Sequence, residues 1–163
     1  MGFVGSGLLK LNCDTSRKRN VDLIAIAVVA GNSNDNLVDG IAKRVYCSSP
    51  LVGKAQAMLE ALRLTAAIGI SSFIIETDST SIYSAMLDSY KDVYWEIQAA
   101  VNLMCSLVPN FGQVYFSLVN KEANSIADIV AKLCFKNLLP CNWLLLHRLK
   151  FLIVCFFDAF VVL

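Results

Sequence analysis

Three aspartates carry the chemistry this chain could do. Asp14 closes an alternating apolar–polar stretch. Asp78 closes the run Ile74-Ile75-Glu76-Thr77-Asp78, and Asp128 falls in the first turn of an apolar-periodic segment. A carboxylate at the end of a strand stands at the edge of a sheet, where open α/β sheets bind their ligands. Any one Asp is ordinary at a strand end, turn or helix cap. Three in this order form a stronger signal. Brought together they would repel one another unless cations sat among them. Hard oxygen ligands with room for water suit Mg²⁺ or Mn²⁺. Two such ions about 4 Å apart are the usual apparatus for in-line attack on a phosphodiester.

The elements that must position these residues follow from the pattern. Residues 8–14 alternate, with Leu9, Leu11 and Cys13 on one face, and read as a half-buried strand. Residues 15–22 are polar, with Arg17-Lys18-Arg19 at their centre, and read as a turn. Residues 23–30 form a β-branched and alanine run that suits a central strand. A dense turn signal at 31–36 precedes a third strand over 37–46, with a bulge expected at Gly40. Three strands joined by short connections predict an antiparallel meander.

A helix is expected over 51–68, with Gly69 as its stop. The strand to Thr77 follows, then helices over 79–87 and 95–108, a strand over 114–119, and a helix over 125–135 capped by Asn124. The order βββ-α-β-α-α-β-α predicts an α/β fold. Its five-stranded mixed sheet has three antiparallel strands plus two reached by helical crossovers, with helices on both faces. Strands one and four then lie side by side, and the last helix can bring Asp128 toward Asp14 and Asp78.

The 163 residues suit one domain, 8–135, followed by an apolar tail, 136–163. Hydrophobic residues make up 56% and charged ones 17%, with net charge +1, so bulk charge does not announce a nucleic-acid binder. No two of the six cysteines are spaced C-x-x-C, which argues against zinc and for reduced core thiols in an intracellular protein. Residues 1–7 lack a secretory pattern. Gly2 and Ser6 fit only a loose acylation motif, and the stretch reads as a glycine-rich lead-in. In the tail, His147, Arg148, Lys150 and Asp158 interrupt the apolar run, which stays short of the ~18–20 residues a membrane span needs. The tail is expected to be partly helical, docking on the domain or on a protein partner.

Several segments carry a family resemblance. They are Lys10-Leu11-Asn12-Cys13-Asp14, Ser48-Ser49-Pro50-Leu51-Val52 leading into Ala55, Ala57 and Glu60-Ala61-Leu62, Glu76-Thr77-Asp78-Ser79, and Glu122-Ala123-Asn124 with Ala127-Asp128. Leu139-Pro140-Cys141-Asn142-Trp143-Leu144 adds a trailing segment. Each is weak alone. In order, they resemble the ribonuclease H-like domain of the reverse-transcriptase type, especially its stand-alone plant versions, over residues 8–145. The resemblance implies a ribonuclease H fold and metal-dependent hydrolysis of the RNA strand of RNA–DNA hybrids. It implies Asp14, Asp78 and Asp128 as catalytic and metal-holding residues, Mg²⁺ or Mn²⁺ as cofactor, and no small-molecule cofactor.

The departures from that family matter as much. Its first helix normally opens Ala-Glu, the Glu holding metal, whereas this chain has Gly53-Lys54. Glu60 cannot substitute, because six residues turn it about 240° around the helix and carry it roughly 9 Å along. Leu118 and Lys121 stand where a His and an Arg are usual, and Thr15 where a Gly follows the first Asp. The lone His147 reads as non-catalytic. Lys54 either pairs with Asp14 and Asp78, partly neutralising them without metal, or reaches to solvent and leaves the site one ligand short. Both predict impaired catalysis and weakened or lost metal.

Three functions compete: a working hybrid nuclease, a non-catalytic nucleic-acid-binding module, and a degenerate copy. In the second, Arg17, Lys18 and Arg19 would touch phosphates of an RNA–DNA hybrid or RNA. The bland reading of those three is a solvated hairpin tip. A nuclear or cytoplasmic location is expected.

Overall fold

The computed structural model describes residues 8–34, 36–88 and 93–145. The strands are β1 (Leu9–Arg17), β2 (Leu23–Gly31), β3 (Leu37–Tyr46), β4 (Ser72–Thr77) and β5 (Gln113–Leu118). The helices are α1 (Pro50–Ala67), α2 (Thr80–Leu87), α3 (Gln98–Leu107) and α4 (Ser125–Phe135). Short 3₁₀ turns at Trp95–Ile97, Val108–Asn110 and Trp143–Leu145 complete the elements. The expected 95–108 helix is thus a 3₁₀ turn running into α3. Gly2, Ser6, His147 and the tail beyond Leu145 lie outside the described residues, as does the expected tail helix. Among the described residues, no helix is long and apolar enough to cross a membrane.

The five strands form one sheet in the order β3-β2-β1-β4-β5. The β1–β2 and β2–β3 pairs are antiparallel, and β1–β4 and β4–β5 are parallel. This is the mixed sheet expected from the element order. β1, β3 and β4 therefore all end at the same edge, where α1 and α2 begin.

Alternation decides which faces are buried. Leu9, Leu11 and Cys13 of β1, Ile24, Ile26 and Val28 of β2, and Phe73 and Ile75 of β4 join one core with α1, α2 and α3. Ala27 and Val29 of β2 look the other way, into a second cluster with Ala127, Val130 and Ala131 of α4. Small side chains at this contact let α4 pack close to the sheet. Helices thus cover both faces.

α1 starts where its sequence says it should. Ser49 Oγ accepts from Val52 N at 3.2 Å, and Pro50 opens the first turn, where no intrahelical N–H is needed. Gly69, with φ +73, ends the segment. Gly53 sits against the sheet: a Cβ there would stand 3.3 Å from two Ile24 carbons and 3.4 Å from Thr15 Cγ2. That approach seats the first turns of α1 directly over β1 and β2, next to the Asp14 position.

The bulge expected at Gly40 lies elsewhere. The β2–β3 register shifts at Ala30/Gly31 instead. Gly40 serves a different need, since a Cβ would come within 2.5 Å of the Trp143 ring and 2.7 Å of the Val28 carbonyl. Trp143 is buried and belongs to the second core cluster, with Leu139 and Leu144 packed beside it. The segment to Leu145 therefore packs on β3.

Candidate active site

β1 runs on to Arg17 rather than ending at Asp14 as expected, because residues 15–17 stay paired with β2, and β1 and β4 are clamped just before Asp14 and Asp78. Asn12 and Glu76 are register partners, and Asn12 Nδ2 donates to Glu76 Oε2 at 2.8 Å. Asp14 and Asp78 each lie two residues further on, so both reach the same edge. Asp14 is buried, and its Oδ1 accepts from Thr15 N at 2.8 Å. Asp78 follows the last residue of β4, in the bend before α2.

Lys54 joins the two aspartates. Its Nζ donates to Asp78 Oδ1 in a close ion pair and lies 3.5 Å from Asp14 Oδ1. The Lys54 side chain is largely covered, so the pair is not a solvated surface contact. Of the two positions open to Lys54, the structure has the paired one.

α4 brings the third carboxylate. Asn124, at the helix start, donates from Nδ2 to the Cys13 carbonyl at 2.9 Å and ties α4 to β1 beside Asp14. Asn124 stands at the expected cap position, but its side chain accepts no hydrogen bond from the first turn of α4. Its Oδ1 is buried without a protein partner. One turn on, Asp128 is close enough to act on the Asp14 carboxyl, and its Oδ2 pairs with Lys132 Nζ at 2.5 Å.

Asp14 registers the whole cluster. Burial pushes its carboxyl above the ordinary 3.8; the Thr15 N–H and the Lys54 ammonium pull it down, while Asp78 and Asp128 push it up. The net direction is upward, so one ammonium does not offset the burial and the two neighbouring carboxylates.

The remaining sequence candidates fall into place around this cluster. Arg17 ends β1, and Lys18 and Arg19 follow in the turn, all exposed at the same end of the sheet as Asp14. Leu118 ends β5 and Lys121 lies in the loop before α4. Glu60 is engaged elsewhere, 3.0 Å from Lys43 and 2.7 Å from Arg63, as its place on α1 requires. Sequence reasoning missed the Asn12–Glu76 clamp and the Asn124–Cys13 tie. Polar residues in otherwise apolar strands were the available signal for the clamp.

A family model described as reverse transcriptase-like matches residues 12–134. The chain belongs to the reverse transcriptase-like family. No curated protein sequence matches it. Its fold is that of ribonuclease H. The RNase H1 of the halophilic archaeon Halobacterium salinarum superposes with a TM-score of 0.74 at 15% identity, covering 80% of this chain and 99% of that one. The N-terminal RNase H domain of a Mycobacterium tuberculosis protein gives 0.72 at 13% identity, covering 82% and 96%. LC11-RNase H1, solved in complex with an RNA/DNA hybrid, gives 0.70 at 17% identity, covering 81% and 99%.

The family's divalent metal does not fit the residues present. A hard dication needs several oxygen ligands around it. Here an ammonium already stands between Asp14 and Asp78, and Asp128 is paired with Lys132. Among the described residues, no group of three or more His, Cys, Asp or Glu side chains is arranged to hold a metal ion.

Proposed function

We propose that this chain is a ribonuclease H-like nucleic-acid-binding domain in which metal-dependent hydrolysis of RNA in RNA–DNA hybrids is impaired. The observation that carries the reading is the Lys54 ammonium, held by Asp78 and 3.5 Å from Asp14. It places positive charge at the family's Glu position and competes with Mg²⁺ or Mn²⁺ for Asp14, Asp78 and Asp128. Nucleic acid, an RNA–DNA hybrid or RNA, is the partner, met in part by Arg17, Lys18 and Arg19. The location that suits this role is the nucleus or cytoplasm.

The test is single-turnover cleavage of a labelled hybrid across a Mg²⁺ titration. The parent should cleave weakly or not at all. Lys54→Glu should restore some activity, and adding Asp78→Asn should abolish the gain. Robust cleavage by the parent would overturn impairment. A Lys54→Glu variant no better than the parent would move the cause to Leu118 and Lys121.

A further inference from the structure

The sheet has two outer strands, β3 and β5, and their free edges differ. β3 carries Asp39, Lys43 and Arg44, and the Asp39 carboxylate accepts from Gly40 N at 2.7 Å. Trp143 also packs against β3 at Gly40. Charge along an edge and a covering segment are common guards against the addition of another strand. β5 has no such charge. No Asp, Glu, Lys or Arg falls between residues 97 and 120, and β5 itself contains no proline.

The outward groups of β5 follow from its pairing. Gln113 N donates to Ser71 O at 3.0 Å, and Val119 N donates to Thr77 O at 2.9 Å. Odd-numbered amides of this strand therefore point at β4. Alternate residues of a strand turn their backbone groups to opposite sides, so Val114, Phe116 and Leu118 present N–H and C=O outward. Among the described residues, no strand lies on that side. The side chains here are apolar on both faces. Val114 and Phe116 pack against the core shared with α1, α2 and α3. Leu118 falls on their face by alternation and is 42% exposed, while Tyr115, on the other face, is 49% exposed.

We propose that β5 pairs antiparallel with β5 of a second copy of this chain, joining the two sheets about a two-fold axis. Such an axis, perpendicular to the sheet, keeps each face on its own side, so residues that pair must share parity. With Phe116 opposite Phe116 of the second copy, Val114 meets Leu118 and Tyr115 meets Ser117. Each outward N–H and C=O of Val114, Phe116 and Leu118 then has a partner. Cross-strand apolar pairs stabilise the contact, and exposed Leu118 is covered. An isologous contact sets each residue near the axis against its own copy, where any charge would repel itself. The uncharged β5 meets no such repulsion, which is the reason a second copy fits this edge. A single strand pair buries less than the ~800 Å² per partner of a standard interface, so the dimer is weak and concentration-dependent. The copies run in opposite directions, which leaves both Asp14–Asp78 edges open. The proposal therefore stands apart from the nucleic-acid reading above.

The test is sedimentation of the full chain across a concentration series, with hydrogen exchange of the Val114, Phe116 and Leu118 amides at both ends of the series. A dimer should form at high concentration, and these three amides should slow only there. Tyr115→Lys and Leu118→Lys should each weaken the dimer about tenfold, because symmetry counts each change twice. Both side chains are substantially exposed, so circular dichroism should match the parent. Arg44→Glu, on the other edge strand, should leave the dimer unchanged. A chain that stays monomeric throughout would overturn the proposal. Association that survives both Lys changes would place the contact elsewhere and overturn it. Slow exchange of the three amides at every concentration would mean that a segment of the same chain lies along β5, and that too would overturn it.

Discussion

Helix α1 carries two ion clusters with opposite stoichiometry. At Lys54, one ammonium serves two carboxylates, Asp14 and Asp78. At Glu60, one carboxylate is served by two cations, Lys43 at 3.0 Å and Arg63 at 2.7 Å. Burial pushes the carboxyl upward at both places. At Asp14 burial and the neighbouring carboxylates win, and the group stays above its ordinary value. At Glu60, hydrogen bonds and charge from Lys43 and Arg63 overcome the burial, and the carboxyl is held below its ordinary value. The Glu60 cluster is therefore balanced, whereas the Lys54 cluster is short of positive charge and depends on a single side chain.

Removing that side chain should have the largest effect. Breaking a buried ion pair by deleting one partner typically costs about 3–5 kcal/mol; with Lys54 partly exposed, Lys54→Ala should cost about 1–3 kcal/mol. Urea unfolding in EDTA would measure it. A loss no greater than that of Lys43→Ala would erase the contrast between the clusters.

At the other cluster the losses should be smaller. Lys43 is largely solvated and Arg63 remains to hold Glu60, so Lys43→Ala should cost about 0.2–1 kcal/mol in the same unfolding experiment. Glu60→Gln should fall in the same range, because it leaves two solvated cations rather than a buried charge. Asp14→Asn keeps the acceptor for Thr15 N and removes a buried negative charge. It should hold or raise the unfolding midpoint at neutral pH, where Glu60→Gln lowers it.

Acid should separate the clusters by sign, with the smallest effect. The depressed Glu60 carboxyl contributes stability that is present above its ordinary 4.5 and lost as pH falls through its folded value. The raised Asp14 carboxyl does the reverse. Between its ordinary 3.8 and its higher folded value, the folded chain binds more protons than the unfolded one, so this contribution grows as pH falls. Asp14→Asn should therefore make stability fall more steeply than in the parent on acidification through that window. Glu60→Gln should make it fall less steeply. Unfolding midpoints across the acid range, with slopes in the opposite order, would contradict the assignment.

Much of the fold was legible because period and punctuation agree. The alternation of β1, the apolar run of β2 and the Gly69 stop each have one physical reading, and the order of elements along the chain placed strands one and four side by side. The site was legible for a different reason: Asp78 and Lys54 lie at the ends of well-marked elements, and Asp14 lies where β1 runs on beyond its pairing with β4, so topology brings them to one edge. What escaped depends on contacts between distant segments. Gly40 looks like a bulge in sequence, but its lack of a side chain makes room for Trp143, more than a hundred residues away. Asn124 reads as an ordinary cap, while its amide binds the Cys13 carbonyl of another element.

If Lys54 occupies a place otherwise open to a divalent cation, the thermal unfolding midpoint across Mg²⁺ and Mn²⁺ titrations, with EDTA as reference, reads it. The parent's midpoint should be indifferent to either ion. Lys54→Glu should lower the midpoint in EDTA and raise it as metal is added, and combining it with Asp78→Asn should remove that rise. A parent whose midpoint climbs with Mg²⁺ and falls back in EDTA would contradict that occupancy.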